Sequence, residues 1–173
     1  MNPFITNQLM ETRNSLLAEI ELLNNTQFNG KHEASSWSIA QVCHHLVLVE
    51  ESSIKAIAWG LKQVDAQKTK RKNVQQIADR SNKIIAPKIV EPAEDLFTVQ
   101  QIMDLLNASR KKLITFLDTI EDKSILSEKS VKHPALGELP LDQWIEQIYL
   151  HEQRHIEQIK EIKGALESTS NTL

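Results

Sequence analysis

Apolar residues recur at three- and four-residue intervals in four separate stretches of the chain, the spacing of helices that each bury one face. Over residues 7–26, Leu9, Leu16, Leu17, Ile20 and Leu23 form such a stripe, and Asn29-Gly30 supplies a stop. Ser38-Ile39-Ala40-Gln41 is a capping-box pattern, in which the hydroxyl and the amide each satisfy a backbone N–H at a helix start. Val42, Leu46, Val49, Ile54 and Ile57 then carry a second apolar face to about Leu61, with Trp37 just outside it. Thr98-Val99-Gln100-Gln101 has the same capping chemistry, and Ile102, Leu105, Leu106, Leu113, Ile114, Leu117 and Ile120 give a third helix ending near Glu121. The fourth starts after Pro140 and carries Leu141, Trp144, Ile145, Ile148, Ile156, Ile159 and Ile162 to about Gly164.

The connections are unequal. Residues 64–94 are polar and basic, broken by Pro87 and Pro92, and read as a long crossover with at most one helical piece. His133-Pro134-Ala135-Leu136-Gly137 holds turn formers and leads into the fourth helix, where it could cover one end of the fold. No internal repeat or low-complexity tract is evident. Helices of roughly 20 to 27 residues span about 30 to 40 Å, the dimensions of a single four-helix bundle. The expected fold is all-α: a four-helix bundle over residues 1–167 with a crossover between helices two and three, followed by a polar tail at 168–173.

Composition agrees with that pattern. The 173 residues are 40% hydrophobic and 25% charged, enough apolar content for one core, and four glycines and five prolines leave long runs of helix formers uninterrupted. Net charge is −3, and the basic run Lys68 to Lys72 (KTKRK) has no interleaved aromatic residues, which argues against a nucleic-acid partner. That run reads as a solvated loop or helix end. One cysteine, Cys43, excludes an intramolecular disulfide, and no N-terminal apolar run suits a signal peptide or membrane span, so no membrane partner and a cytoplasmic location are expected. Inside an apolar helical pattern, Cys43 reads as a buried structural thiol.

The candidate chemistry lies in the histidines. His151 and His155 sit one turn apart on the fourth helix, His155 near the middle of the apolar stripe and His151 at its edge, so both rings face the core side. Two imidazoles on successive turns suit a divalent metal ion, and they equally suit buried rings satisfied by ordinary hydrogen bonds. A third ligand decides between the two. On the second helix His44 and His45 point about 100° apart, and only His45 lies at the edge of the apolar stripe. If helices two and four are neighbours, His45, His151 and His155 form a cap of three nitrogens.

Trp37-Ser38, His45-Leu46, HPALGEL and LHEQRHIEQI, in this order and at these separations, resemble the DinB-like superfamily, in particular its YfiT-type metal-dependent hydrolases and bacillithiol transferases. The resemblance spans nearly the whole chain. It implies a four-helix bundle, often a homodimer, with a divalent ion, zinc or nickel, held by His45, His151 and His155 and with open coordination positions. It implies a hydrolase or low-molecular-weight thiol S-transferase that brings a thiol such as bacillithiol, or water, to a small electrophilic substrate. The alternative is a non-catalytic stress-response or binding bundle with a structural metal. No catalytic residue is assigned: Glu152 and Glu50 are candidates to orient an imidazole or act as acid/base groups, and His133 to act as a lid. Related sequences tend to cap the last helix with threonine; here Pro140 stands at that start, where a first helical position tolerates it.

Overall fold

The computed structural model describes residues 3–64, 67–81 and 85–170. Its elements are α1 (Pro3–Ile20), α2 (Asn25–Asn29), α3 (Ile39–Lys62), α4 (Val99–Asp118), α5 (Ile125–Glu128), strands β1 (Ser130–His133) and β2 (Gly137–Pro140), and α6 (Leu141–Ser170). The long helices α1, α3, α4 and α6 form a four-helix bundle.

The capping boxes at Ser38 and Thr98 are both present and start α3 and α4 where the sequence places them. Three boundaries differ from expectation. The first helix stops at Ile20, and Asn24 caps a separate short α2 with a box of its own completed by Gln27. The last helix runs past Gly164 to Ser170, because a single glycine costs a helix only about 1 kcal/mol and does not by itself end it; residues 171–173 of the expected tail lie outside the described residues. Pro140 closes β2 rather than opening α6. The turn at 133–137 joins an antiparallel two-stranded hairpin, with Gly137 at φ 68°, and pairs Val131 with Leu139.

Contacts give the helix directions. Thr12, Arg13 and Glu19 of α1 meet α6 at sequence separations of 140, 139 and 144 residues, so these helices are parallel. Ser109, Arg110 and Lys112 of α4 meet α3 at 59, 60 and 61, so these are parallel too. Between α3 and α6 the numbers run oppositely: Ser53 meets Gln147 while His45 meets His155. The order is up, down, down, up. Consecutive parallel helices cannot be joined by a tight turn, so residues 63–98 must travel back along the bundle. The crossover does so along α6, with Arg71 paired to Asp142 and Glu146, Lys72 bonded through its backbone to Gln143, and Arg80 paired to Glu161. The basic run is the expected solvated loop, exposed at Lys68, Lys70, Arg71 and Lys72, and it is also tied down: Lys68 pairs with Glu128 and the Lys72 ammonium donates to the Leu136 carbonyl. The crossover holds two short 3-10 turns, Val74–Ile77 and Lys88–Val90, instead of at most one helical piece; residues 65–66 and 82–84 lie outside the described residues. Among the described residues no helix is long and apolar enough to cross a membrane.

The core is two apolar clusters. One contains Leu9, Ile57, Leu113 and Leu150, the other Leu16, Leu46, Leu106 and Ile156. Between them lies a layer of four buried charges, one from each long helix: Arg13, Glu50, Arg110 and Glu152. Arg13 Nε reaches Glu152 at 2.8 Å and its Nη2 reaches Glu50 at 3.0 Å. Arg110 reaches Glu50 through Nε and Glu152 through Nη2, the latter at 3.0 Å. Their remaining Nη1 groups donate to the Leu106 and Leu9 carbonyls, while Thr12 and Ser109 donate hydroxyls to Glu152 and Glu50. Charge sums to zero and the lone pairs are taken. Burial raises the Glu50 pKa, but Arg13 and Arg110 outweigh it and hold the carboxyl below its ordinary value.

Removing one guanidinium from such a layer strands a buried carboxylate. Arg110→Met should cost about 3–5 kcal/mol of unfolding free energy, read by urea denaturation. A group whose folded pKa is depressed stabilises above its unfolded value and loses that contribution as pH falls through the folded one. The layer's own contribution to the unfolding free energy, read as the difference between the native protein and Arg110→Met across pH, should therefore hold down to about pH 4.3, the free carboxylate value, and decline below it.

Candidate metal centre

The Ser38 capping box sets the start of α3 and hence which way His45 faces; α6 presents His151 and His155 from successive turns on the facing antiparallel helix. One ring nitrogen from each of the three lies within 4.8 Å of the others. The rings meet edge to face, with centroids 4.5 to 5.2 Å apart, and the Trp37 ring packs 5.0 Å from His45. His45 and His155 are buried; His151 is half-buried.

Hydrogen bonds orient two of the rings. His45 Nδ1 lies 2.7 Å from the Val90 carbonyl, an acceptor only, so Nδ1 carries the hydrogen and Nε2 is a bare lone pair. His155 Nδ1 lies 2.7 Å from the Gln158 amide oxygen, which fixes the same tautomer. His155 Nε2 then sits 3.1 Å from His151 Nε2, while His151 Nδ1 is buried with no hydrogen-bond partner among the described residues. Protein groups alone leave His151 short in either tautomer. With hydrogen on Nε2 its Nδ1 acceptor is orphaned, and with hydrogen on Nδ1 two Nε2 lone pairs face each other. A cation shared by the Nε2 atoms removes that opposition, so the donor set fits a divalent ion of the borderline class.

Burial lowers all three pKa values. For His45 the Val90 bond works in the opposite direction and is outweighed; His151 falls well below its ordinary value, with His155 and His45 adding repulsion; His155 falls to about 3. The rings are neutral at pH 7, the form that ligates.

The other histidines and carboxylates make other contacts, and of them His133 lies near enough to add to the repulsion that lowers the His151 pKa. His44 accepts from the Ala93 N–H at 3.1 Å and packs on Phe97, tying the end of the crossover to α3. Glu50 and Glu152 are neither solvated nor directed at the imidazoles; both are committed to Arg13 and Arg110. The ring-orienting role considered for them falls to the Val90 carbonyl and Gln158. Gln158 was legible, three residues after His155 on one helix, but a backbone carbonyl from a distant crossover leaves no signal. His133 is a turn residue: its Nδ1 accepts from the Ala135 and Leu136 N–H groups and its ring packs on Trp144, with burial and Lys72 lowering its pKa to about 4.

Residues 8–159 match the family model of the DinB superfamily, and the chain belongs to that superfamily. The YuaE protein of Bacillus subtilis (strain 168), itself uncharacterized, is 31% identical over 157 residues, covering 91% of this chain and 96% of that protein. Among solved structures, YfiT from Bacillus subtilis, a "probable metal-dependent hydrolase with an unusual four-helix bundle topology", superposes with a TM-score of 0.64 at 17% identity, over 94% of this chain and 86% of its own. TT2238, a four-helix bundle protein, gives a TM-score of 0.61 at 16% identity, over 91% of this chain and 96% of its own. At these identities the structural likeness establishes the fold.

Cys43 is fully buried, and burial pushes its thiol pKa far up, with Arg13 opposing and Glu152 adding to the rise. An aromatic disulfide reagent at pH 8 should leave it unmodified in the native protein and react fully in denaturant; rapid native reaction would contradict the packing.

Proposed function

We propose that the chain is a metal-dependent enzyme in which His45, His151 and His155 hold one divalent ion, zinc or nickel, and that it acts in the cytoplasm as a hydrolase or thiol S-transferase on small electrophilic substrates. The observation that carries this reading is the opposed His151 and His155 Nε2 atoms at 3.1 Å beside the tautomer-fixed His45. YfiT, described as a "probable metal-dependent hydrolase", has the same fold, which supports the reading without deciding the reaction.

Three protein ligands leave room for further ligands, the pattern of catalytic rather than closed structural sites. A bound ion would supply Lewis acidity, making water or a low-molecular-weight thiol such as bacillithiol a competent nucleophile near neutral pH. The residues of the chain supply the rest. The Val90 carbonyl and Gln158 keep the His45 and His155 hydrogens on Nδ1, Trp37 shields one side of His45, and burial keeps the rings unprotonated.

Elemental analysis of protein purified without a histidine tag should find about one divalent ion per chain. His151→Ala/His155→Ala should lose it, and Gln158→Leu should weaken binding about 10–100-fold. Thiol-transfer assays with bacillithiol and hydrolytic panels should then show activity that chelation removes. Absence of metal from the unmodified protein would overturn the reading. Metal whose removal lowers the melting temperature, with no activity on either panel, would leave a structural metal instead.

A further inference from the structure

The charged layer is reciprocal bond for bond. Arg13 Nε binds Glu152 and Arg110 Nε binds Glu50; Arg13 Nη2 binds Glu50 and Arg110 Nη2 binds Glu152. Arg13 Nη1 reaches the Leu106 carbonyl and Arg110 Nη1 the Leu9 carbonyl, and Thr12 serves Glu152 as Ser109 serves Glu50. A two-fold axis through the layer, exchanging α1 with α4 and α3 with α6, produces this pattern. The same exchange interchanges the two apolar clusters: Leu9 with Leu106, Leu16 with Leu113, Ile57 with Ile159.

The sequence carries the repeat once it is aligned on the layer. Leu9, Thr12, Arg13, Leu16 and Ile20 correspond to Leu106, Ser109, Arg110, Leu113 and Leu117 at one constant offset. Ile39, Gln41 and Glu50 correspond to Leu141, Gln143 and Glu152 at a slightly larger one, so that the first residues of α3 and α6 coincide. This alignment stands against the expectation of no internal repeat. Few identities and unequal loops hide the repeat from any fixed-period search.

Under this operation His45 maps to Gln147, His151 to Val49 and His155 to Ser53. Where His45 faces His155 on one side of the α3–α6 seam, Gln147 Nε2 donates to Ser53 Oγ at 3.0 Å on the other, both side chains buried. We infer that the chain is a duplicated helical hairpin and that Val49, Ser53 and Gln147 occupy the symmetry mate of the histidine cluster, a face that has no metal-ligating side chains of its own and would gather a divalent cation only if it carried three imidazoles. In it a direct hydrogen bond ties α3 to α6. The inference uses where the three rings lie, not which reaction they serve.

The test is to place histidines on that face in the full chain, with the native ones intact. After zinc saturation and dialysis, Val49→His/Ser53→His/Gln147→His should retain one equivalent more than the native protein, by elemental analysis. The native content reads the proposed function separately: a native chain without zinc beside a variant with one equivalent would refute that function and support this inference. A folded variant that binds no more zinc than the native protein overturns it. If the triple variant does not fold, Ser53→His/Gln147→His should show a melting temperature raised by zinc beyond any rise in the native protein; no such rise, or failure of both variants to fold, also overturns it, since a true symmetry mate of the three-imidazole layer should accept imidazoles.

Discussion

Two arginines and two glutamates at the centre of a bundle are tolerable only as a complete set. Each buried ion costs several kcal/mol to desolvate, and the mutual attraction offsets this only where the lone pairs and N–H groups are all engaged. Arg13, Glu50, Arg110 and Glu152 meet that condition with two carbonyls and two hydroxyls. The requirement propagates outward. Each long helix contributes one member, so none can slide by a turn without stranding a charge, and apolar packing alone would be far more permissive of such slips.

Helix register is what the candidate metal centre depends on. His151 and His155 neighbour Glu152 on α6, and His45 lies little more than one turn before Glu50 on α3. Fixing Glu50 against Glu152 therefore fixes the three rings against one another. The helix order adds the next part. Parallel α3 and α4 make the crossover unavoidable, and its path along α6 and back to the start of α3 brings the Val90 carbonyl onto His45. A connection imposed by topology thus orients a ligand, as surrounding hydrogen bonds commonly do in metal sites.

Much of this was legible and some was not, for identifiable reasons. The Ser38 and Thr98 caps could be read because a capping box is local chemistry within four residues. The side of α3 on which His45 lies, against His44, followed from rotation alone. Glu152 and Glu50 were noticed as carboxylates near apolar stripes, but their partners are residues on other helices, Arg13 and Arg110, which local patterns do not link to them. The same blindness covered the crossover: its KTKRK run is exposed, as its composition suggests, but the pairing of Arg71 and Arg80 with acidic residues of α6 is set by the fold.

By itself the sequence determined what depends on neighbours along the chain: four amphipathic helices, two of their starts, the long connection and a one-turn histidine pair. Periodicity and capping are encoded within a few residues, so they need no fold to be read. Tertiary structure alone decided the up-down-down-up order, the pairing of four charges and the two-fold relation of the halves. It also decided that a backbone carbonyl, which no side chain marks, would hold the His45 ring. Those features depend on which surfaces meet across the bundle, and burial favours the arrangement in which Arg13, Glu50, Arg110 and Glu152 are all paired.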